Sequence, residues 1–192
     1  MLVRTRRFDE AIERGKRARE LDPLALITRA NEAMFLYYGG YLEEAEERLK
    51  STLELEPNFW VASLALGKVY LQQGKHEAAI EALNKSRDSC GGSSQPLGML
   101  GFAYALMHDH SHARRLLHEL ESLATKRYVP PYNFALIFHG LNDHTKVFEW
   151  LDRAFKARDV LLSAFISSEP FWEPLRNEPR FRSLLKRMNL GE

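Results

Sequence analysis

The chain has 192 residues, 45% hydrophobic and 28% charged, which is enough apolar material for a continuous core and too much for a disordered chain. Its 27 Lys and Arg stand against 26 Asp and Glu, a formal net charge of +1, so no global field exists to hold a nucleic acid backbone or an anionic membrane. The single cysteine, Cys90, excludes an internal disulfide framework and a multi-cysteine zinc site, and fits a reducing compartment, with the cytoplasm as the expected location.

The first residues, MLVRTRRFDEAIERGKR, lack the apolar stretch of a signal peptide, and no later run approaches the roughly 20 apolar residues that cross a bilayer. Arg4, Arg6, Arg7, Arg14, Lys16, Arg17 and Arg19 form the densest basic run. Asp9, Glu10, Glu13 and Glu20 interleave with them at helical spacing, the pattern of a solvated helix face. Neither nucleic acid nor membrane is expected as a partner.

From this helix onward the sequence repeats. Ala11, Ala45, Ala79, Ala113 and Val147 stand 34 residues apart without insertion or deletion. The same frame aligns Ala33, Gly67, Gly101 and Ala135 in one column and Leu36, Tyr70, Tyr104 and Phe138 in another. A third column holds Ala18, Thr52, Ser86, Leu120 and Ala154, where only Leu120 is large. Each unit reads as two helices that cannot bury their apolar stripes alone, so stacking is obligatory. The small columns let paired helices approach, and the Tyr/Phe/Leu column fills the space beside them. Gly40 and Gly74, with His108 and Asn142 in the equivalent places, are expected at the turns within repeats, since glycine enters the left-handed conformation freely and asparagine tolerates it. Pro23 and Pro57 are in register between repeats, where Gly91, Thr125 and Asp159 follow. Pro96, Pro130 and Pro131 fall near expected helix starts.

The segments LALGKVY (64–70) with Gly74, Ala79 and Leu83, and MLGFAY (99–104) with Ala113, resemble the signature of the tetratricopeptide repeat family, and FDEAIERGKRARELDP (8–23) is similar to the second half of such a repeat. Repeat two departs from the family pattern: Glu32 stands where a leucine is usual and Arg29 where a large apolar residue is usual. The resemblance implies an all-α fold, a right-handed α-α superhelix, arranged as a half repeat (7–25), four repeats (26–59, 60–93, 94–127, 128–159) and capping helices (160–192) in a single domain.

The half repeat lacks its first helix, which predicts an exposed apolar edge at Phe8 and Ile12, with Leu2 beside them. Such an edge follows either from excision out of a longer polypeptide, the favoured account, or from self-association into a homo-oligomer. At the other end, Phe181, Leu184, Leu185 and Met188 recur at helical spacing toward the last repeat, with Arg180, Arg182, Lys186 and Arg187 toward solvent. The block YNFALIFHGLNDHTKVFEWLDRAFKARD followed by EPFWEPLRNEPRFRSLLKRM is also similar to repeat regions attached to bacterial signalling proteins, among them winged-helix regulators and Ser/Thr kinases. No kinase or DNA-reading motif accompanies it.

In the family, the first helices of the repeats line a concave groove that touches a bound peptide. Carried over by position, the groove offers Ile27, Ala30, Met34 and Tyr37; Val61, Leu64, Lys68 and Leu71; Gln95, Gly98, Phe102 and Ala105; and Val129, Tyr132, Leu136 and His139. Met34, Tyr37, Leu64, Lys68, Leu71, Phe102, Tyr132, Leu136 and His139 are the candidate contacts, a set whose apolar character implies an apolar or amphipathic polypeptide segment as partner. The alternative, that neighbouring repeats or the capping tail cover these residues, stands beside it. Lys68 is the only cation in the groove set, which disfavours the acidic C-termini held by the family's carboxylate-clamp members, and Asn31 alone does not supply a clamp.

No catalytic site, metal or cofactor is expected. His108, His110, His112 and His118 crowd one segment, with His139 and His144 in the next repeat, but turn and helix-start positions do not converge their rings, and no cysteine or carboxylate completes a ligand set. Nothing arranges a nucleophile, base and orienting group for a hydrolase. Cys90, in SCGGSS, reads as a surface linker cysteine, the Gly pairs at 39–40 and 91–92 as turns, and Glu169, Glu173 and Glu178 as helix-start acids.

Overall fold

The computed structural model describes residues 2–190. After a 3-10 turn at Val3–Thr5 come ten α-helices: α1 (Phe8–Leu21), α2 (Leu26–Tyr38), α3 (Leu42–Leu55), α4 (Trp60–Gln72), α5 (His76–Ser89), α6 (Gln95–Leu106), α7 (His110–Ala124), α8 (Pro131–Gly140), α9 (His144–Lys156) and α10 (Val160–Phe165). A 3-10 helix at Pro170–Leu175 and the helix α11 (Pro179–Arg187) complete the chain. The architecture is all-α, built from paired antiparallel helices and ending in a C-terminal cap. Two compact units divide it, one running to Pro96 and one from Leu97, so the boundary falls in the first turn of α6.

Local sequence explains the helix ends. The second helices begin at Phe8, Leu42, His76, His110 and His144, a constant 34 residues apart. In the turn before each of the last four, one residue takes positive φ: Gly40 (86°), Gly74 (72°), His108 (60°) and Asn142 (57°). The next N–H closes back five residues in each case, as Tyr41 to the Leu36 carbonyl and Asp109 to the Tyr104 carbonyl, both at 2.9 Å, so the same left-handed stop recurs with or without glycine. Asp109 and Asp143 then cap the following helices, accepting from the amides of His112 and Lys146 at 3.0 Å.

In the first unit, α1 packs on α2, α2 on α3, α3 on α4 and α4 on α5, and the first helices α2 and α4 also meet. Ala33, Ala45 and Ala79 are fully buried. Gly67 sits so close to α5 that a Cβ there would lie 2.6 Å from Leu83, which is the physical demand behind the small column. In the second unit the close approach is to the next first helix: a Cβ on Gly101 of α6 would lie 2.5 Å from Ile137 of α8.

Three expectations change. Ile12 is buried and Phe8 half-buried, stacked on Tyr38 with ring centroids 6.3 Å apart, because α2 packs over this face of α1. The exposed large apolar residues of this unit are instead Leu21, Leu24, Ile27, Tyr41 and Leu55. Ala18 is exposed although the rest of its column, Thr52, Ser86, Leu120 and Ala154, is fully buried. Cys90 is buried rather than a surface cysteine, its Sγ 3.1 Å from the Arg87 carbonyl and 3.3 Å from that of Ser93.

The polar departures of repeat two also find their reason. Glu32, 1% exposed, accepts from Arg19 of α1 at 2.5 Å and lies 3.9 Å from Arg48 of α3, while Arg29 donates to the Ser51 hydroxyl and the Pro23 carbonyl. Where the family pattern would pack apolar groups, this repeat joins three helices through a buried carboxylate with a charged partner.

Candidate functional site

The groove positions of the second unit are held by α6 and α8, and the cap fills the space between them. Pro170 at the start of the 3-10 helix Pro170–Leu175 and Pro174 within it restrict its backbone, and the helix delivers Phe171 and Trp172 side by side onto the first helices. The Trp172 indole N–H donates to the Tyr132 hydroxyl at 2.9 Å, and the indole stacks on His139 with centroids 4.8 Å apart. His139 is itself stacked on Phe102 at 5.8 Å, and Phe171 leans on Phe102 at 4.8 Å. His139 Nε2 lies 2.7 Å from the Phe171 carbonyl, so it carries the proton as donor. Nδ1 is buried without a hydrogen-bond partner. Burial pushes the His139 pKa down, with a lesser push from His144, against the opposing bond to Phe171. Burial likewise holds the Tyr132 phenol well above its usual range. Asp159 ties this arrangement to α10: its carboxylate accepts the Tyr132 amide at 3.0 Å and the Leu161 amide at 2.8 Å.

Of the nine candidate contacts, Tyr37, Leu64, Lys68, Leu71, Phe102, Tyr132 and Leu136 are buried, and Met34 and His139 are half-buried. Tyr132, His139 and Phe102 come together, but as the seat of the cap. Met34 remains accessible on α2, two turns from Ile27, which is 52% exposed. Phe171 and Trp172 are the members of this cluster that the repeat pattern misses, since they lie outside its period. The one available signal is an aromatic pair between two prolines in a segment with no repeat register.

His108 and His110 stack on each other with ring centroids 6.2 Å apart, while His112, His118 and His144 go to separate partners. His112 bonds Asp109 at 2.6 Å and stacks on Tyr104, His118 bonds Glu121 at 3.0 Å, and His144 lies 3.4 Å from Glu178. Among the described residues, no group of three or more His, Cys, Asp or Glu could hold a metal ion, and no helix is long and apolar enough to cross a membrane.

A family model for the tetratricopeptide repeat matches residues 36–89. No curated protein sequence matches the chain. Among solved structures, the APC/C heterotetramer Cut9–Hcn1 is similar at TM-score 0.63 and 14% identity, over 98% of this chain and 38% of that one. A tetratricopeptide repeat protein from Parabacteroides merdae follows at 0.55 and 15%, over 96% and 74%. YrrB, described as having an unusual peptide-binding site, is similar at 0.50 and 18%, over 94% and 93%. The chain therefore spans well under half the length of the Cut9–Hcn1 chain it matches. These identities speak to the fold alone. Residues 36–89 match the tetratricopeptide repeat model, and the paired helices of the chain share the fold of these repeat structures.

Proposed function

We propose that this chain is a protein–protein interaction module, a scaffold or adaptor that holds an apolar or amphipathic segment of another polypeptide against the first helices of its repeats. The observation that carries the reading is the open strip on α2, where Ile27 and Met34 are accessible two turns apart beside Leu24, which is 76% exposed. The places equivalent to Met34, which are Lys68 in α4, Phe102 in α6 and Leu136 in α8, are buried. An exposed and a half-buried apolar side chain at this spacing match the i, i+7 anchors of a docked helix. Two neighbours in fold are described with partners, Cut9 with Hcn1 and YrrB with a peptide-binding site, which supports the same reading here. Its place as part of a larger bacterial regulatory protein rests on the resemblance of the C-terminal block.

Peptides selected from a random displayed library on the wild-type chain, then titrated by fluorescence polarisation, test the surface. An Ile27→Asp/Met34→Asp variant should lose them while keeping its helical content. Unchanged affinity in that variant would remove the reading. A second reading, a homodimer with no peptide ligand, is favoured by the exposure of Leu21, Leu24 and Leu55 at the ends of α1, its following turn and α3. Sedimentation velocity at rising concentration separates the two, because only the dimer shifts with concentration in the absence of peptide.

A further inference from the structure

The cap carries a second surface that the repeat fold does not require. Helix α11 buries Phe181, Leu184 and Leu185, and along its flank facing α9 it sets Arg180, Ser183 and Arg187. These positions, at i, i+3 and i+7, share one helix face. Across from them stand Phe148, Leu151 and Asp152 of α9, and the two helices enclose a cleft of about 380 Å³.

Both arginines are held flat. The Arg180 guanidinium lies 4.4 Å from the centroid of Phe148, and that of Arg187 lies 4.1 Å from the centroid of Phe155. Stacking fixes a guanidinium plane while leaving its N–H edge directed outward, so part of the ordering cost of binding is met before a ligand arrives. Arg187 donates one bond to Asp152 at 3.0 Å, and Asp152 is shared with Lys156 at 2.8 Å. Arg180 has no carboxylate partner among the described residues. The charged residues lining the cleft are Arg180, Arg187 and Asp152, so it keeps an excess of positive charge.

We propose that the α9–α11 cleft recognises an acidic peptide segment, its carboxylates taken by Arg180 and Arg187. The two arginines are separated by about 10 Å along the helix axis, close to the spacing of about 9 Å between side chains three residues apart, on one face, in a peptide of polyproline II conformation. Fork-shaped donors match carboxylates bidentately, and the apolar floor of Phe148, Leu151 and Leu184 accepts an aliphatic side chain between them. The same floor and the Asp152 carboxylate disfavour a nucleic acid backbone, whose charge is continuous and carries no apolar side chain. This surface is independent of the α2 strip.

The test uses the full chain and a fluorescein-labelled peptide with glutamates at its first and fourth positions and leucine between them. Polarisation should show saturable, salt-sensitive binding, weakened about tenfold by Arg180→Gln and only partly restored by Arg180→Lys, which keeps the charge and loses the fork. Arg153→Gln, a cation of α9 outside the cleft, should leave binding unchanged. Amide shifts on peptide addition should centre on Ser183 and Asp152. Equal binding of the glutamine version of the peptide, or of the Arg180→Gln variant, overturns the proposal. So does tighter binding of an oligothymidylate, or self-association that Arg180→Gln abolishes and the peptide does not compete.

Discussion

Replacing Trp172 by alanine removes the largest fully buried side chain of the protein from the point where the cap meets α8. The indole touches His139, Tyr132 and Phe181, with centroids 4.8, 5.8 and 6.3 Å away, and its N–H satisfies the Tyr132 hydroxyl. Truncating a buried Trp costs about 3–5 kcal/mol in lost transfer energy and residual cavity, and loss of the hydrogen bond adds about 1 kcal/mol. Against a typical domain stability of about 5–15 kcal/mol, that places the second unit near its unfolding limit. Trp172→Phe keeps most of the apolar volume and loses the donor, so it should cost about 1–2 kcal/mol. Urea unfolding followed by circular dichroism measures both without depending on the removed fluorophore. The two units should unfold in separate steps in Trp172→Ala, with only one midpoint lowered. If Trp172→Ala lost less than 1 kcal/mol, or less than Trp172→Phe, the cap would not be seated as described.

Other outcomes follow from the same geometry. Gly67→Leu should destabilise by about 3 kcal/mol or more, because its Cβ alone would stand 2.6 Å from Leu83, and thermal melting will register it. Phe102→Ala should also lower the melting temperature, since Phe102 is 2% exposed and supports His139 and Phe171 rather than facing solvent. His108→Gly should stabilise by about 1 kcal/mol by relieving a side chain at φ 60°, seen as a raised denaturant midpoint. The Glu46 carboxyl is held down to about 2, chiefly by its bond from Lys50 and further by Lys75. In the window between the ordinary carboxylate range and pH 2 the unfolded chain binds the extra proton. The stability from this group is therefore whole above that range and lost as pH falls through about 2, and Glu46→Gln should flatten this part of the acid limb in melting curves taken against pH.

The 34-residue period was legible in the sequence because it is written in residues whose job is local or between adjacent helices. Gly40, Gly74, His108 and Asn142 mark turns by their own backbone preference, and Gly67 and Gly101 mark close approach by lacking a side chain. The apolar stripe of α11 was equally plain from its spacing. What covers the groove was not. Trp172 reaches Tyr132 across 40 positions and Phe171 reaches His139 across 32, from a segment outside the repeat, so no periodic signal announces either contact. Cys90 and Ile12 changed from exposed to buried for a related reason: burial depends on which chain segment folds over a residue, and only the packed helices supply that cover. Glu32 shows the same division within one residue. Its sequence position marked a departure from an apolar core, while its tolerance there comes from Arg19 and Arg48, brought to it by two different helices.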